Sequence, residues 1–194
     1  MFKRGRRGRS AGGTEDSEPP DPAKARRAAR DTAMGLLARR EHAQAEIKRK
    51  LRDRGYDSEL ALEVVDDLTQ RRLLSDERFA EMFIRSRAER GQGPVRLRAE
   101  LRQLQIPSEQ IDRLLVAAEV DWIELARSVR LRKFGKQAAN SLGERAKQVR
   151  FLQYRGFTAA QICAALDGEC EDDLLEAGDD ANPSELPPEL DSET

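Results

Sequence analysis

Residues 47–58, IKRKLRDRGYDS, and residues 97–108, LRAELRQLQIPS, are two versions of one pattern that lie 50 residues apart. In both segments apolar residues recur at helical spacing, a short run of turn-forming residues follows, and helical spacing then resumes. A third version, LQYRGFT at 152–158, lies about 101 residues after the first. An internal repeat of about fifty residues is typical of proteins that are built from tandem helical units.

Each version of the pattern predicts a helix, a tight turn and a second helix. Gly55 and Gly156 stand where the end of a helix favours a left-handed residue, whereas Gln105 at the equivalent position predicts a strained turn. The apolar residue after the turn is expected to fold back onto the helix just ended, which places Tyr56, Ile106 and Phe157 there. The next helices are predicted to be capped by Asp57, Ser108 and Thr158.

A further helix is predicted before each pair, over residues 33–40, 76–90 and 121–134. The sequence therefore predicts an all-α protein with nine helices in three tandem three-helix repeats, at residues 31–72, 73–120 and 121–166. A unit of about 45 residues has little core of its own, so neighbouring units are expected to stack into an elongated, curved array.

Charge is distributed unevenly along the chain, although its 35 basic and 36 acidic side chains give a net charge of −1. Residues 1–30 carry nine basic and four acidic side chains, and residues 167–194 carry twelve acidic side chains and none that is basic. Both ends lack an apolar face, which predicts a disordered basic tail at 1–30 and a disordered acidic tail at 167–194. We expect the acidic tail to keep the protein soluble, with pairing to basic surfaces as the alternative.

The composition argues against several classes of protein. No apolar run approaches the roughly 18 residues of a membrane-spanning helix, and the basic start lacks the apolar segment of a secretory signal. We therefore expect a cytoplasmic protein without a membrane partner. The single histidine, His42, precedes a predicted helix and is expected to be structural or solvent-facing. Cys163 and Cys170 have no further ligands nearby to complete a metal set, so we expect no enzyme activity and no cofactor.

Basic side chains recur on the predicted helices of all three repeats. Their simplest explanation is a set of solvated helix faces, because Arg and Lys are good helix formers. Recurrence in three units favours instead a basic stripe along one face of the array, suited to a long polyanion or a filament that carries one. The candidates for contact with a partner are Arg85, Arg87, Arg96, Arg98, Arg102, Lys147, Arg150 and Arg155.

The longest motif in the chain is LLSDERFAEMFIRSR at residues 73–87, followed by Gly93-Pro94 and by LRAEL at 97–101. Together these segments resemble the signature of the RecX family. The motifs ARREH at 38–42 and RFLQYRGF at 150–157 extend the resemblance, which covers roughly residues 31–166 and omits both tails. Arg72 and Gln105 depart from the family pattern, since glycine often stands at both positions.

The resemblance implies a bacterial regulator of RecA that is built from three tandem three-helix units and has no catalytic residues. Proteins of this family lie in the groove of the RecA filament on single-stranded DNA and usually inhibit its recombinase, ATPase and co-protease activities. Filament capping and promoted disassembly are both proposed modes of action. We expect the same partner here, with direct contact to DNA as an addition, and a monomeric chain.

Two other classes of protein stay open from the residues alone. Short helix pairs with a basic second helix also resemble helix-turn-helix units, so a protein that binds DNA directly is the first alternative. A scaffold that binds another protein through apolar grooves is the second. Salt separates them, because binding through apolar grooves is nearly independent of ionic strength and binding to phosphates is not.

Overall fold

The structure is a computed structural model that describes residues 21–135 and 141–166. These residues form nine α-helices and no strand, and each helix makes its extensive contacts with the other two of its own triplet. The prediction of an all-α array of three tandem three-helix repeats is therefore confirmed. In chain order the helices are α1 Pro22–Leu37, α2 Gln44–Arg52, α3 Ser58–Gln70, α4 Asp76–Glu89, α5 Pro94–Gln103, α6 Ser108–Ala117, α7 Trp122–Phe134, α8 Leu142–Tyr154 and α9 Ala159–Ala165.

Each triplet encloses its own hydrophobic core. The first core contains Leu51 and Leu68, the second Phe79 and Leu101, and the third Leu152, all of them fully or almost fully buried. Burying one such side chain contributes about 1.5–3 kcal/mol of stability. Three small cores in a row, and not one large core, therefore stabilise the described chain.

The first helix begins earlier than the sequence predicts. The predicted disordered tail at 1–30 includes residues 22–30, but α1 starts at Pro22 and these residues are helical. Asp21 caps the helix by accepting a hydrogen bond from the backbone N–H of Ala23 at 3.0 Å. The face that α1 buries carries Ala29 and Ala33, whose small side chains give no strong apolar pattern.

Two exposed ion pairs join α1 to α3 over the part of the helix that the sequence does not predict. Arg26 pairs with Glu63, and Arg30 pairs with Asp67 at 3.3 Å. Contacts of this kind depend on a partner 37 residues away and are invisible to local composition. The other tail assignments, at 1–20 and 167–194, lie outside the described residues. The boundaries between repeats stay predictions, and they fall between α3 and α4 and between α6 and α7.

The same turn ends α2, α5 and α8. In each, the backbone N–H of the apolar residue after the turn donates to a leucine carbonyl five residues earlier, in the pairs Tyr56–Leu51, Ile106–Leu101 and Phe157–Leu152 at 3.1–3.3 Å. The turn residues Gly55, Gln105 and Gly156 have φ angles of 86°, 63° and 87°. The predicted fold-back of the apolar residue and the strain at Gln105 are both confirmed.

Two of the three predicted helix caps are confirmed. Asp57 accepts a hydrogen bond from the N–H of Glu59 at 2.8 Å, and Thr158 caps α9 in a capping box with Gln161. The prediction for Ser108 is wrong. Pro107 occupies that cap position, and the Ser108 hydroxyl accepts a hydrogen bond from Arg102 at 3.2 Å instead.

Replacing Gln105 with glycine is expected to raise the free energy of unfolding by about 1 kcal/mol. A residue with a side chain loses roughly that much in the left-handed region, and glycine does not. Urea denaturation compares Gln105→Gly with the wild type and with Gln110→Gly, which places glycine inside α6 and is expected to cost about 1 kcal/mol. Equal losses in both variants would contradict the strain at Gln105.

Candidate functional site

An arginine-lined groove of about 410 Å³ opens between the first and second repeats. Arg49 of α2 forms one wall, and Phe83 and Arg87 of α4 form another. Four residues of α5 complete the groove, namely Arg96, Ala99, Glu100 and Gln103. We call this site the arginine groove. The helical spacing of four between Arg96 and Glu100, and between Phe83 and Arg87, places each pair on one face of its helix. The groove therefore gathers residues from two repeats.

Glu100 holds two arginines of the groove through different oxygens. Its Oε1 accepts from Nε of Arg96 at 2.8 Å, and its Oε2 lies 3.5 Å from a terminal guanidinium nitrogen of Arg87. The three side chains are only about one-quarter exposed or less. Because these side chains are partly shielded from water, the carboxylate attracts each guanidinium group more strongly than it would in a fully exposed pair. Glu100 therefore holds the two guanidinium groups side by side.

Aromatic rings lie under the same two arginines. The guanidinium carbon of Arg87 is 5.1 Å from the ring centre of Phe83, and that of Arg96 is 5.8 Å from the ring centre of Tyr154 on α8. Both distances are within the range of a cation–π interaction. The contact to Tyr154 links one arginine of the groove to the third repeat.

The junction between the second and third repeats is a backbone contact that positions Arg96. The N–H of Gly93 donates to the carbonyl of Arg155 at 2.7 Å, and the N–H of Val95 donates to the carbonyl of Gly156 at 2.9 Å. The start of α5 is thus in contact with the end of α8. N–H groups that have no partner within α5 donate there to carbonyl groups at the end of α8. Arg96 is in the first turn of α5, so this junction sets its position relative to Tyr154.

The eight predicted contact residues do not form one continuous cluster. Arg87 and Arg96 line the arginine groove, while Arg155 braces the junction by donating to the carbonyl of Arg90 at 3.3 Å. Two others tie α5 to α6: Arg98 pairs with Asp112 at 2.7 Å, and Arg102 contacts Ser108. The remaining three are exposed on α4 and α8, namely Arg85, Lys147 and Arg150.

Two charged residues of the arginine groove are absent from the sequence candidates. Arg49 belongs to the basic run of α2, but nothing in that run distinguishes it from its neighbours. A pattern of recurring basic residues does not point to Glu100, which is acidic. Its spacing of four from Arg96 is the one available signal, and the contact with Arg87 depends on the tertiary structure.

A buried polar network lies where the first repeat meets the second. His42 is only 3% exposed, and its Nδ1 lies 3.1 Å from Oε2 of Glu46. The other oxygen of Glu46, Oε1, accepts a hydrogen bond from Arg40 at 3.0 Å. Nearby, the N–H of Gln44 donates to Asp76 at 2.8 Å across the junction. His42 therefore has a structural role, one of the two that the sequence suggested.

The environments of these groups shift their pKa values in different directions. Burial lowers the pKa of His42 below its ordinary value of 6.5, although the hydrogen bond with Glu46 opposes this. Burial acts to raise the pKa of Glu46, but hydrogen bonds from Arg40 and His42 outweigh it and lower the pKa. Burial raises the pKa of Asp76, and the N–H of Gln44 offsets part of that change.

Acidification from pH 7 towards about 5.5 is expected to destabilise the protein through His42. The unfolded chain binds a proton near pH 6.5 and the folded chain only at lower pH, so the stabilisation present above 6.5 is lost below it. The variant His42→Asn keeps an amide donor but cannot titrate, so it should lose less stability over this range. Thermal denaturation across the pH series tests this, and parallel curves for the two proteins would contradict it.

The described residues show no sign of a metal site or a membrane span. Within residues 21–135 and 141–166, no group of three or more His, Cys, Asp or Glu side chains is placed to hold a metal ion. The helices of the described chain are also too short or too polar for any of them to cross a membrane. The arginine groove is thus the feature in this part of the chain on which a functional argument rests.

Fold and groove together define the class: this is a tandem three-helix repeat protein with a basic groove between repeats. Family models for the first, second and third three-helix domains of RecX match residues 29–68, 75–115 and 119–166, in that order. The chain belongs to the RecX family.

Individual relatives agree with this membership. The chain is 49% identical to "Regulatory protein RecX" of Halorhodospira halophila over 75% of its own length and 91% of the relative, and 47% identical to that of a Pseudomonas putida strain over 75% and 94%. A "Crystal structure of regulatory protein RecX" has a TM-score of 0.65 at 22% identity, covering 76% of this chain and 73% of that one. The structure of RecX from Lactobacillus salivarius has a TM-score of 0.63 at 18% identity, covering 75% and 98%.

Proposed function

We propose that this protein binds the RecA filament on single-stranded DNA and inhibits its ATPase, strand-exchange and co-protease activities. In this way it would limit recombination, DNA repair and the SOS response in the cytoplasm. The observation that supports the proposal most is an arginine groove spanning repeats in a RecX-family chain whose relatives are named as regulatory proteins. The chain matches at least nine-tenths of the length of both named relatives.

The geometry of the array favours a filament as the partner. Three similar repeats follow each other along the chain, so one chain can contact successive protomers of a helical polymer. Contacts that are repeated along one chain add avidity, because each contact after the first is intramolecular. A monomer without a cofactor is sufficient for this mode of action.

We assign the contacts to the arginine groove first and to the exposed basic side chains second. Arg87 and Arg96 have their guanidinium groups gathered at one place, which suits a phosphate or a carboxylate of the partner. The exposed residues Arg85, Lys147 and Arg150 would add long-range attraction that is screened by salt. Arg98, Arg102 and Arg155 would contribute to the field around the array while holding its elements in place.

The test is the ATPase activity of RecA on single-stranded DNA, measured while this protein is titrated into preformed filaments of RecA from the same bacterium. Inhibition at fewer than one regulator per RecA protomer is expected, since a regulator that blocks growth or promotes disassembly acts on many protomers. Sedimentation of the filaments with bound regulator, at rising salt, checks that the effect follows binding. Binding should weaken as salt rises.

The absence of inhibition and of filament binding would favour one of the two alternative classes of protein. If ATPase activity is unchanged and no regulator sediments with the filament, the proposal is wrong. Tight, sequence-dependent binding to duplex DNA under the same conditions would then favour a protein that binds DNA directly. Binding to another protein that is insensitive to salt would favour a scaffold.

A further inference from the structure

The balance of charged side chains distinguishes the arginine groove from two other cavities in the described residues. A cavity of about 520 Å³ between α1 and α3 is lined by three arginines and three carboxylates, so its charges balance. A second, of about 570 Å³ between α3 and α4, is lined by two arginines and two carboxylates. The arginine groove has three arginines, and among its described lining residues the negative charge comes from Glu100. The described lining residues of the groove thus include more arginines than carboxylates.

The position of Glu100 resembles that of a bound oxyanion. Its two oxygens each engage a different arginine, Arg96 at 2.8 Å and Arg87 at 3.5 Å. A phosphodiester group offers two unesterified oxygens that would accept from the same two guanidinium groups. Arg96 uses Nε for Glu100, and its guanidinium lies over the ring of Tyr154. The carboxylate and a nucleic-acid phosphate thus compete for one pair of arginines.

We propose that Glu100 is a built-in competitor in the arginine groove, which takes a phosphodiester group of single-stranded DNA once this carboxylate has been displaced. The inference rests on the proposed function, in which this face of the array meets the filament, and it adds how that face is regulated. Displacing the carboxylate costs free energy, so a ligand binds tightly only when it makes further contacts. An isolated phosphate gains little by replacing one anion with another, whereas a DNA strand adds contacts along the array.

The experiment measures the affinity of a labelled oligothymidylate for the full chain by fluorescence anisotropy at several salt concentrations, without RecA. The variant Glu100→Gln keeps the size of the side chain and removes its charge. It is expected to bind about three- to tenfold more tightly than the wild type, and the salt dependence should steepen by about one phosphate contact. Adding inorganic phosphate should weaken the binding of this variant more than that of the wild type.

A matched control exists in the same chain. Asp67 also holds two arginines through different oxygens, Arg71 at 2.7 Å and Arg30 at 3.3 Å, in the cavity between α1 and α3 where the charges balance. The variant Asp67→Asn makes the same change in net charge, and its affinity for the oligothymidylate is expected to rise by less than about twofold. An equal gain in both variants would mean that net charge alone matters, and the inference would be wrong.

Weaker binding by Glu100→Gln would overturn the inference in a different way, because Glu100 would then be a positioning residue for the arginines. Unchanged binding would overturn it too. The proposed function fails separately, in the RecA assay. If Glu100→Gln binds the oligothymidylate more tightly while the wild type leaves RecA ATPase unchanged, the role of Glu100 as a competitor is supported and the proposed regulation of RecA is wrong.

Discussion

Removing the charges at the centre of the arginine groove is expected to raise the concentration needed for half-inhibition of RecA ATPase by about tenfold or more. The variant is Arg87→Gln, Arg96→Gln and Glu100→Gln together. Both arginines lose their charge-assisted hydrogen bonds to the partner. The carboxylate is removed as well, because alone it would stay partly buried without its cations and would destabilise the fold.

The control for this variant is the corresponding set in the first repeat, Arg30→Gln, Asp67→Asn and Arg71→Gln. It removes two positive charges and one negative charge from the same geometrical arrangement, outside the arginine groove. The half-inhibition concentration is expected to change by less than about threefold, and melting temperatures check that both variants are folded. Similar losses of inhibition in the two sets would argue against a specific role for the arginine groove.

Replacing Gly156 with alanine is expected to lower the free energy of unfolding by about 3 kcal/mol and to weaken inhibition of RecA as well. Gly156 has a φ of +87°, and a Cβ atom there would lie 2.3 Å from Cβ of Arg96 and 2.6 Å from its backbone nitrogen. The backbone of α5 cannot easily retreat, because Gly93 and Val95 both donate to the end of α8. Relief of the clash would separate the repeats and move Arg96.

Gly55 is the matched control for this substitution, since it ends α2 in the same kind of turn. Its φ of +86° is almost the same, but a Cβ atom there would meet nothing within 4 Å. Gly55→Ala is therefore expected to cost about 1 kcal/mol, the strain of the backbone alone. Urea denaturation measures both variants. Equal costs would show that the close approach of α5 to α8 is tolerated.

Much of the fold is accessible from the sequence because the information is local and occurs three times. Helical spacing, turn residues and the recurrence near fifty residues together predict nine helices in three triplets, and the described residues form them. Arg72 and Gln105 stand where glycine would be expected, and both have positive φ angles, of 58° and 63°. For Gln105 the sequence alone indicates this strain, because glycine stands at the equivalent positions Gly55 and Gly156 of the other repeats.

The start of α1 is not accessible in the same way. Its fully buried residues are alanines, and it packs against α3, to which it is also joined by exposed ion pairs with residues far away in the chain. Composition over residues 22–30 shows only charge and small side chains, which is also what a disordered tail shows. Tertiary contacts therefore stabilise a helix that the weak local pattern does not predict.

For the candidate site, the sequence by itself determined which helices carry basic side chains, and it placed Arg87 and Arg96 among the candidates. Only the tertiary structure decided that these two meet Arg49 and Glu100 in one groove, while Arg98 is held by Asp112. The physical reason is that the charge of a residue can be read from the sequence. Competition between two anions for one arginine depends on the distances between the groups. The distances within the second repeat are set by the packing of α4, α5 and α6, and the distance from Arg96 to Tyr154 is set by the junction of α5 with the end of α8.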